Sequence, residues 1–511
     1  MPLVPTVILM LALALVALPA PCLAAWDAWF ENSTTKVFRD DAPGATKAAH
    51  LTAAANEVQA IQLVVRAGEE PLRRVDVRVS DLVGEKGARI ASDHVEILRV
   101  AYVYLPAHKR EYPDPLPPWA PCDIPAGQNQ PVWLDIHVPT GTLPGTYCGT
   151  VAVRSASGLL CRLPLELTVW RFSLPATPRS RAAFGVYTQG IEAQHHVVAG
   201  TPQYEALLHR YYEMLVAHRA TPRDLADGLE TDETARYLSD PRVNAFMIPY
   251  SDNEAELKAR VAYVRQKGWA SKGYFYVMDE PVLKEHYDQL KERAAKTHAL
   301  GADLKIVVPY FREPAFAVEG GMHGLLTGIC GIWCPKVNFY NENFLTKRQA
   351  LSEEVWTYVC WEPGAPYANL YVDMAGIDHR ALFWQMAHYD IQGFLYWTST
   401  YWSAAAGTAD PWTDMATVRD LSPTVYGDGS VLYPGAKVGV DGPVASIRLK
   451  LIRAGLQDVE YLKLLEDREG RGAVRGITGQ VIQGLQAYSK DVGRYLSLRE
   501  EVGRRLSAMH P

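Results

Sequence analysis

Two adjacent carboxylates, Asp279 and Glu280, are the side chains of this 511-residue sequence best placed to do chemistry. They follow the run 273–278, which reads Gly-Tyr-Phe-Tyr-Val-Met and is typical of a buried strand. Because like charges side by side repel, we expect one carboxyl to have a raised pKa and to hold a proton near neutral pH. A proton donor beside a fixed anion is the usual equipment for cleaving a glycosidic bond.

The tripeptide Asp279-Glu280-Pro281 is equally compatible with the start of a helix. Pro is favoured at the first position of a helix, and an acidic residue just before it complements the helix dipole. Pro281 also disfavours the helical conformation at the preceding residue, so the sequence predicts an extended Glu280. Adjacent residues of a strand normally face opposite ways, so extension alone does not bring both carboxylates into one cavity.

Aromatic residues at the ends of the other predicted strands favour a carbohydrate site. Sugars present C–H faces that stack on aromatic rings, while their hydroxyls need polar partners. Any one of these aromatic residues is more often part of a core, but the whole set at strand ends is harder to explain by packing alone. The set comprises Tyr187, Tyr250, Tyr310, Trp333, Trp361 and Trp397, with Tyr401 and Trp402 slightly further on.

Two polar residues are weaker candidates for the same site. Asn338 follows Trp333 and is either a ligand of sugar hydroxyls or an ordinary loop residue, and Asp373 either binds substrate or caps a following helix. The sequence has no Gly-x-Ser-x-Gly motif for a serine nucleophile. Cys330, Cys334 and Cys360 are too few for a typical zinc site and are interpreted as buried free thiols. We expect neither a metal ion nor an organic cofactor.

The elements that must position these residues lie between about residues 180 and 425. Short strands alternate there with helical stretches, which predicts an eight-stranded (β/α) barrel with its active site at the C-terminal ends of the strands. An open doubly wound sheet is the alternative, although no Gly-rich phosphate motif supports it. The predicted strands are 183–188, 221–225, 245–250, 274–278, 306–310, 328–333, 355–361 and 394–397, and the predicted helices are 204–218, 254–267, 283–300 and 379–389.

Two further regions flank the predicted barrel. Residues 26–175 contain short alternating strands separated by Gly and Pro turns, which predicts a β-sandwich that either supports the barrel or binds polysaccharide. Residues 174–178 are the predicted linker. Residues 426–511 are expected to begin with a hairpin at 426–435 and to continue with a long helix at 444–466, both packed on the barrel.

The first 25 residues predict an exported protein. The apolar run 7–20 and the small residues before Ala25 are typical of a signal peptide, so we expect a periplasmic or extracellular location. A membrane anchor and lipidation at Cys22 are the alternatives, and no later stretch suggests a membrane span. An exported protein can form disulfides, and the pair flanking a predicted hairpin, Cys148 and Cys161, is the favoured bridge. The formal net charge of −6 argues against a nucleic-acid partner.

Taken together, these residues resemble glycoside hydrolase family 123. Residues 273–281 resemble the Asp-Glu strand of that family, and 393–397 with Tyr401 and Trp402 resemble its last barrel strand. Residues 427–435, 447–449 and 453–462 resemble its C-terminal signature, and 56–60 resemble its N-terminal β-sandwich. The resemblance covers most of the chain after residue 25.

The resemblance implies a β-N-acetylgalactosaminidase that uses its substrate as the nucleophile, and the leading hypothesis is a retaining exo-acting β-N-acetylhexosaminidase. In such enzymes the 2-acetamido oxygen of the sugar attacks the anomeric carbon, which is an exception to the scheme of two opposed carboxylates. Asp279 would orient the acetamido group, and Glu280 would protonate the leaving oxygen and then activate water. A tyrosine hydroxyl often holds the acetamido oxygen in such sites, and the candidates are Tyr310, Tyr371, Tyr396 and Tyr401.

Two other functions remain open at this point. One is a barrel glycosidase with a conventional carboxylate mechanism acting on a sugar without the acetamido group. The other is a catalytically silent protein that binds carbohydrate. The partner in all three cases is a glycan or glycoside.

Overall fold

A computed structural model describes residues 26–226, 228–402, 410–416, 422 and 424–509. The predicted signal peptide and Cys22 lie outside the described residues. Among these residues, no helix is both long and apolar enough to cross a membrane.

The N-terminal part is built from strands that form two principal sheets. One sheet has the order β1-β3-β12-β7, the other contains β11-β4-β13-β14-β2 with β5 and β6 at its side, and buried side chains of both sheets share one apolar core. Strands β8 and β9 form a separate hairpin. The strands are β1 (Trp26–Asn32), β2 (Ala49–Ala55), β3 (Glu57–Ala67), β4 (Leu72–Val79), β5 (Leu82–Val83), β6 (Arg89–Ile90), β7 (Val95–Arg99), β8 (Tyr102–Leu105), β9 (Arg110–Pro113), β10 (Pro115–Leu116), β11 (Cys122–Ile124), β12 (Asn129–Val138), β13 (Gly145–Ser155) and β14 (Gly158–Ser173).

The predicted bridge between Cys148 and Cys161 is wrong, because both cysteines are free. Strands β13 and β14 do form the expected hairpin, but Cys148 lies opposite Glu166 and Cys161 lies opposite Val153. Five positions along a strand correspond to about 17 Å. A disulfide needs Cα atoms within about 7 Å, so this register keeps the two thiols apart.

Eight parallel strands follow and form a nearly closed barrel in the order β16-β15-β22-β21-β20-β19-β18-β17. A backbone hydrogen bond from Met247 N–H to the Arg223 carbonyl links the two end strands. All eight strands overlap predicted ones, although most are shorter. They are β15 (Arg181–Phe184), β16 (Thr221–Pro222), β17 (Phe246–Met247), β18 (Gly273–Tyr276), β19 (Lys305–Tyr310), β20 (Ile332–Pro335), β21 (Glu354–Val359) and β22 (Gly393–Tyr396).

Helices connect the barrel strands and cover their outer face. The four predicted helices correspond to α2, α4, α5 and α8, and the side chains of Thr201 and Asn253 cap the first two of these. Four short helices were not predicted. The helices are α1 (Thr188–His195), α2 (Pro202–Ala217), α3 (Asp232–Ser239), α4 (Glu254–Gln266), α5 (Lys284–His298), α6 (Gly321–Leu326), α7 (Glu342–Gln349) and α8 (Gly376–Tyr389).

The C-terminal part joins the barrel to the N-terminal sheets. The predicted hairpin at 426–435 is misplaced, because the antiparallel pair is β23 (Leu432–Pro434) with β24 (Pro443–Ser446), and β10 extends it. The helices are α9 (Ile447–Glu469), α10 (Arg471–Thr478) and α11 (Val492–Ala508). The fully buried Arg448 of α9 pairs with Asp114 at 2.8 Å. Arg453 likewise pairs with Asp135 at 2.7 Å. These buried ion pairs favour a supporting role for the N-terminal sheets, since removing one partner of such a pair is strongly destabilising.

Candidate active site

Asp279 and Glu280 lie in a bend between β18 and α5, at the C-terminal end of the barrel. Asp279 is exposed and Glu280 is half-buried. The backbone φ of Glu280 is 41°, so the prediction of an extended conformation is wrong. A positive φ is uncommon outside glycine and costs of order 1–3 kcal/mol, and such residues cluster at functional sites. This turn interrupts the strand alternation, so the two neighbouring carboxylates need not face opposite ways.

Each carboxylate accepts a hydrogen bond from a tyrosine of the barrel. The Tyr276 hydroxyl donates to Asp279 Oδ1 at 2.6 Å, and the Tyr358 hydroxyl donates to Glu280 Oε1. Tyr358 belongs to the apolar cluster that fills the barrel interior, and Tyr276 packs against that cluster. Both tyrosine side chains therefore extend from the interior of the barrel to its mouth. The sequence prediction named neither of them.

The environment of Glu280 raises the pKa of its carboxyl above the usual value. Burial is the largest cause, and the negative charges of Asp279 and Glu362 act in the same direction. The Tyr358 hydrogen bond and the Lys336 ammonium oppose the shift without cancelling it. A carboxyl with a raised pKa is suited to act as a proton donor near neutral pH.

Two cations accompany the carboxylate pair. Lys336, which directly follows β20, is buried and pairs with Glu362 at 2.9 Å. The Arg223 guanidinium lies 4.9 Å from the centre of the Tyr276 ring and donates to the Trp397 carbonyl at 3.3 Å. Arg223 follows β16 directly, so residues just past several strands converge on the mouth.

Three of the predicted aromatic residues form one surface at the ends of β15 and β22. The ring centres of Trp397 and Tyr401 are 4.9 Å apart, and those of Tyr401 and Tyr187 are 5.3 Å apart. All three side chains are half-buried, so part of each ring remains accessible. We call these three residues the aromatic surface. Sugar rings stack on surfaces of this kind.

Four other predicted substrate-binding residues are core residues, which corrects their assignment. Tyr310 and Trp333 pack near Phe344 of α7 and His323 of α6, and the Trp333 indole donates to Glu353 at 2.5 Å. Tyr396 and Trp402 are equally buried. Tyr396 packs on Phe394, and the Trp402 indole donates to the Leu432 carbonyl. Each of the four is at most 1% exposed, which leaves no surface for a sugar.

The remaining predicted residues occupy different places around the mouth. Trp361 is half-buried just after β21, and Asn338 lies in the 3-10 turn Val337–Phe339 with its buried Oδ1 lacking a hydrogen-bond partner. Tyr371 is buried and donates to the Cys360 carbonyl at 3.1 Å. Asp373 contacts His108 of the N-terminal part at 3.0 Å, so it bridges two parts of the chain and does not cap α8.

Among the described residues, the one group of three side chains close enough to share a metal ion lies outside this site. Glu96, Asp135 and His137 place one ligand atom each within 4.8 Å of one another. Asp135 already pairs with Lys450 and Arg453, each at 2.7 Å. These two cations neutralise the carboxylate and repel a metal ion, so the group fits a metal poorly.

A parallel barrel with a protonatable carboxyl beside a second carboxylate and an aromatic surface at its mouth has the features of a glycoside hydrolase. Comparison of the sequence with protein-family models supports the same class of enzyme. Residues 241–465 match the glycoside hydrolase 123 catalytic domain, and residues 33–155 match the glycoside hydrolase 123 N-terminal domain. The chain belongs to glycoside hydrolase family 123.

A solved structure shows the same fold. A family 123 glycoside hydrolase from Clostridium perfringens, described in a study of glycolipid glycan hydrolysis, superposes with a TM-score of 0.70 at 14% identity. The match covers 95% of this chain and 98% of that chain. A β-D-glucuronidase from Dictyoglomus thermophilum matches at a TM-score of 0.32 and 8% identity over 84% of this chain and 68% of its own, which is too distant to inform the site. No curated protein sequence matches the chain.

Proposed function

We propose that this glycoside hydrolase is a retaining exo-β-N-acetylhexosaminidase, similar to β-N-acetylgalactosaminidases, in which the 2-acetamido group of the substrate is the nucleophile. The observation that carries the proposal is the separate anchoring of two adjacent carboxylates by Tyr276 and Tyr358. Neighbouring residues do not flank a glycosidic bond as two opposed carboxylates do. They suit a mechanism in which one carboxylate serves the acetamido group and the other serves the leaving oxygen.

In the first step, the acetamido oxygen attacks the anomeric carbon while the bond to the leaving oxygen breaks. Glu280 gives its proton to that oxygen, and its raised pKa favours the protonated form that this step needs. Asp279 accepts a hydrogen bond from the acetamido N–H and stabilises the positive charge that develops on the resulting oxazoline ring.

In the second step, Glu280 removes a proton from water as the water attacks the anomeric carbon. The bond from the acetamido oxygen to that carbon breaks, and the product retains its configuration after two inversions. Tyr276 and Tyr358 do not serve the acetamido oxygen, because each hydroxyl already donates its single proton to one carboxylate of the pair. Of the four earlier candidates, Tyr310 and Tyr396 are core residues and Tyr371 donates to a backbone carbonyl, which leaves Tyr401.

The test is a screen of aryl β-glycosides with and without the 2-acetamido group. We expect cleavage of the acetamido substrates alone, with severe loss in both Asp279→Asn and Glu280→Gln. Asp303→Asn is the matched control, because Asp303 is an exposed carboxylate just before β19, at the opposite end of the barrel. Equal cleavage of plain β-galactosides, or an unaffected Asp279→Asn, would exclude substrate assistance. Glycans of glycolipids are the natural substrates to test next, because the Clostridium perfringens structure was described in that context.

A conventional mechanism on a sugar without the acetamido group is the second candidate. It is favoured by Glu362, a carboxylate just past β21 whose charge acts on Glu280. Glu362→Gln separates the two mechanisms. A modest effect supports substrate assistance, whereas abolished activity that added azide restores would identify Glu362 as a nucleophile.

We also propose that the protein is exported after removal of residues 1–25, with lipidation at Cys22 as the alternative. The support is the apolar leader in the sequence. Cell fractionation and the mass of the mature N-terminus test the proposal. A mature chain that still begins at Met1 would contradict it.

A further inference from the structure

A buried carboxyl, Asp428, lies directly behind the aromatic surface. Asp428 has no exposed area and accepts hydrogen bonds from the Trp397 indole at 3.1 Å and from the Tyr396 hydroxyl at 3.3 Å. None of the mechanistic steps above uses it. Within the described part of the chain, Asp428 forms no ion pair. The nearby Arg448 donates its hydrogen bonds to Asp114 and to backbone carbonyls.

Keeping a carboxyl in this position is costly for the fold. Burial raises the pKa of Asp428 to about 7, even though its hydrogen bonds with Trp397 and Tyr396 favour the ionised form. A buried carboxyl without a direct cation is rare because desolvation of the charged form is unfavourable. The structure retains this group where it contacts two aromatic donors, and one of these belongs to the aromatic surface.

The turn that carries Asp428 is fitted closely to the Trp397 indole. Gly429 has a φ of 68°, and a Cβ atom there would lie 2.4 Å from Trp397 Cζ2. Only glycine therefore allows the turn to approach the ring this closely. The carbonyl of Gly429 also accepts a hydrogen bond from the Tyr401 N–H at 2.9 Å. One turn thus contacts two of the three residues of the aromatic surface.

Trp397 is also connected to the carboxylate pair. Its carbonyl accepts a hydrogen bond from Arg223, the Arg223 guanidinium lies over the Tyr276 ring, and the Tyr276 hydroxyl holds Asp279. A change in the orientation of the Trp397 indole leaves these backbone and side-chain contacts in place. We therefore expect it to affect the stacking of a sugar more than the chemistry.

We infer that Asp428 is a positioning residue that fixes the Trp397 indole through its N–H and thereby holds the aromatic surface in the orientation on which a sugar ring stacks. This inference rests on the proposed glycan site. It predicts that losing the contact weakens substrate binding while the carboxylate pair continues to work.

The experiment compares Asp428→Ala, Asp428→Asn and Trp397→Phe on whichever aryl glycoside the wild-type enzyme cleaves fastest. Loss of a hydrogen bond to a charged group weakens binding by about 10-fold. We therefore expect KM to rise by about 10-fold in Asp428→Ala and in Trp397→Phe, while kcat stays within about two-fold of the wild-type value. Asp428→Asn should restore most of the loss, because its amide oxygen still accepts from the Trp397 indole.

The double variant Asp428→Ala with Trp397→Phe tests whether Asp428 acts through the indole. We expect its KM to match that of the single variants, since both changes remove one contact. Independent, multiplying effects would overturn the inference. An unchanged KM in Trp397→Phe would also overturn it, and so would a fall in kcat without a change in KM in either single variant. Trp397→Phe remains informative if Asp428→Ala does not fold.

Glu353→Ala is the matched control. Glu353 also accepts from an indole, that of Trp333, but on the outer face of the barrel. We expect Glu353→Ala to have a lower Tm and an unchanged KM. A raised KM in this variant would show that KM responds to any loss of barrel packing, and it would contradict a specific role of Asp428. Because the assay uses the best substrate of either class, its outcome is separate from the question of the acetamido group.

Discussion

The inner and outer faces of the barrel strands carry similar aromatic residues in different environments. On the inner face, Tyr276 and Tyr358 have hydroxyls that reach the mouth and bind the two carboxylates. On the outer face, Tyr310 and Trp333 are fully buried against the helices. The difference follows from the two-residue alternation of strands, which separates neighbouring residues into different environments.

This comparison shows that position along the strand is only half of the information needed to place an active-site residue. Trp333 and Cys334 are neighbours on β20, yet Cys334 belongs to the cluster inside the barrel and Trp333 to the core outside it. Changes at Tyr276 and Tyr358, whose hydroxyls bind the carboxylates, should therefore alter catalysis more than stability, and changes on the outer face should do the reverse.

Glu280→Gln should give the largest effect. General acid–base catalysis contributes about 10²–10⁴-fold, and the loss should be greatest for substrates with poor leaving groups, which need the proton most. Rates for a series of aryl leaving groups measure this dependence. The Tm should stay within a few degrees, because Gln has nearly the size of a protonated Glu and its amide oxygen still accepts the Tyr358 hydrogen bond. A loss that is the same for good and poor leaving groups would contradict the role of Glu280 as proton donor.

Tyr358→Phe should have an intermediate effect on catalysis and a defined effect on pH dependence. The Tyr358 hydrogen bond favours ionised Glu280, so its removal raises the pKa of Glu280 further. Activity that needs protonated Glu280 falls as the pH rises through this pKa, so the alkaline limb of kcat/KM should move to higher pH. We expect about a 10-fold loss at the optimum, from one hydrogen bond to a charged group. A limb that moves to lower pH would show that Tyr358 does not stabilise the carboxylate.

The sequence predicted the barrel well because eight apolar runs separated by turns are a strong local signal. It placed β20 at 328–333, whereas the strand spans Ile332–Pro335. The apolar residues Ile329 and Cys330 resemble a strand, but they follow Gly328 with its φ of 80° and precede the sheet. This shift made Trp333 a strand-end residue in the prediction and left Lys336 unnoticed.

The site could be predicted only where its residues are close in sequence. Asp279 and Glu280 stand out because two acids follow one strand. The contact between Tyr358 and Glu280 depends on how β18 and β21 are arranged around the barrel, which periodicity does not reveal. Tyr276 lies two residues after Tyr274, so the two side chains face the same side of the strand. This spacing was visible in the sequence and would have favoured Tyr276 as an inner-face residue. The positive φ of Glu280 had no local signal, because Pro281 favours extension.

Trp333→Phe tests the outer face and should affect stability. The change removes the indole that donates to Glu353 and leaves unfilled space beside Phe344, so we expect a loss of roughly 2 kcal/mol in the free energy of unfolding. Denaturant unfolding measures that loss, and kcat and KM should remain at wild-type values. A raised KM with unchanged stability would show that Trp333 contacts the substrate after all.

Tyr310→Phe should have the smallest effect and is the matched control for Tyr358→Phe. The Tyr310 hydroxyl is buried and has no hydrogen-bond partner among the described residues, so the folded state already bears the cost of its desolvation. Removing it should leave the free energy of unfolding unchanged or raise it by up to about 1 kcal/mol. The pH profile should not move, because Tyr310 packs on the outer face near Trp333. The same chemical change, loss of one phenol hydroxyl, then alters catalysis on the inner face and only stability on the outer face. A shifted pH profile in Tyr310→Phe would mean that the two faces are coupled and that strand parity alone does not define the site.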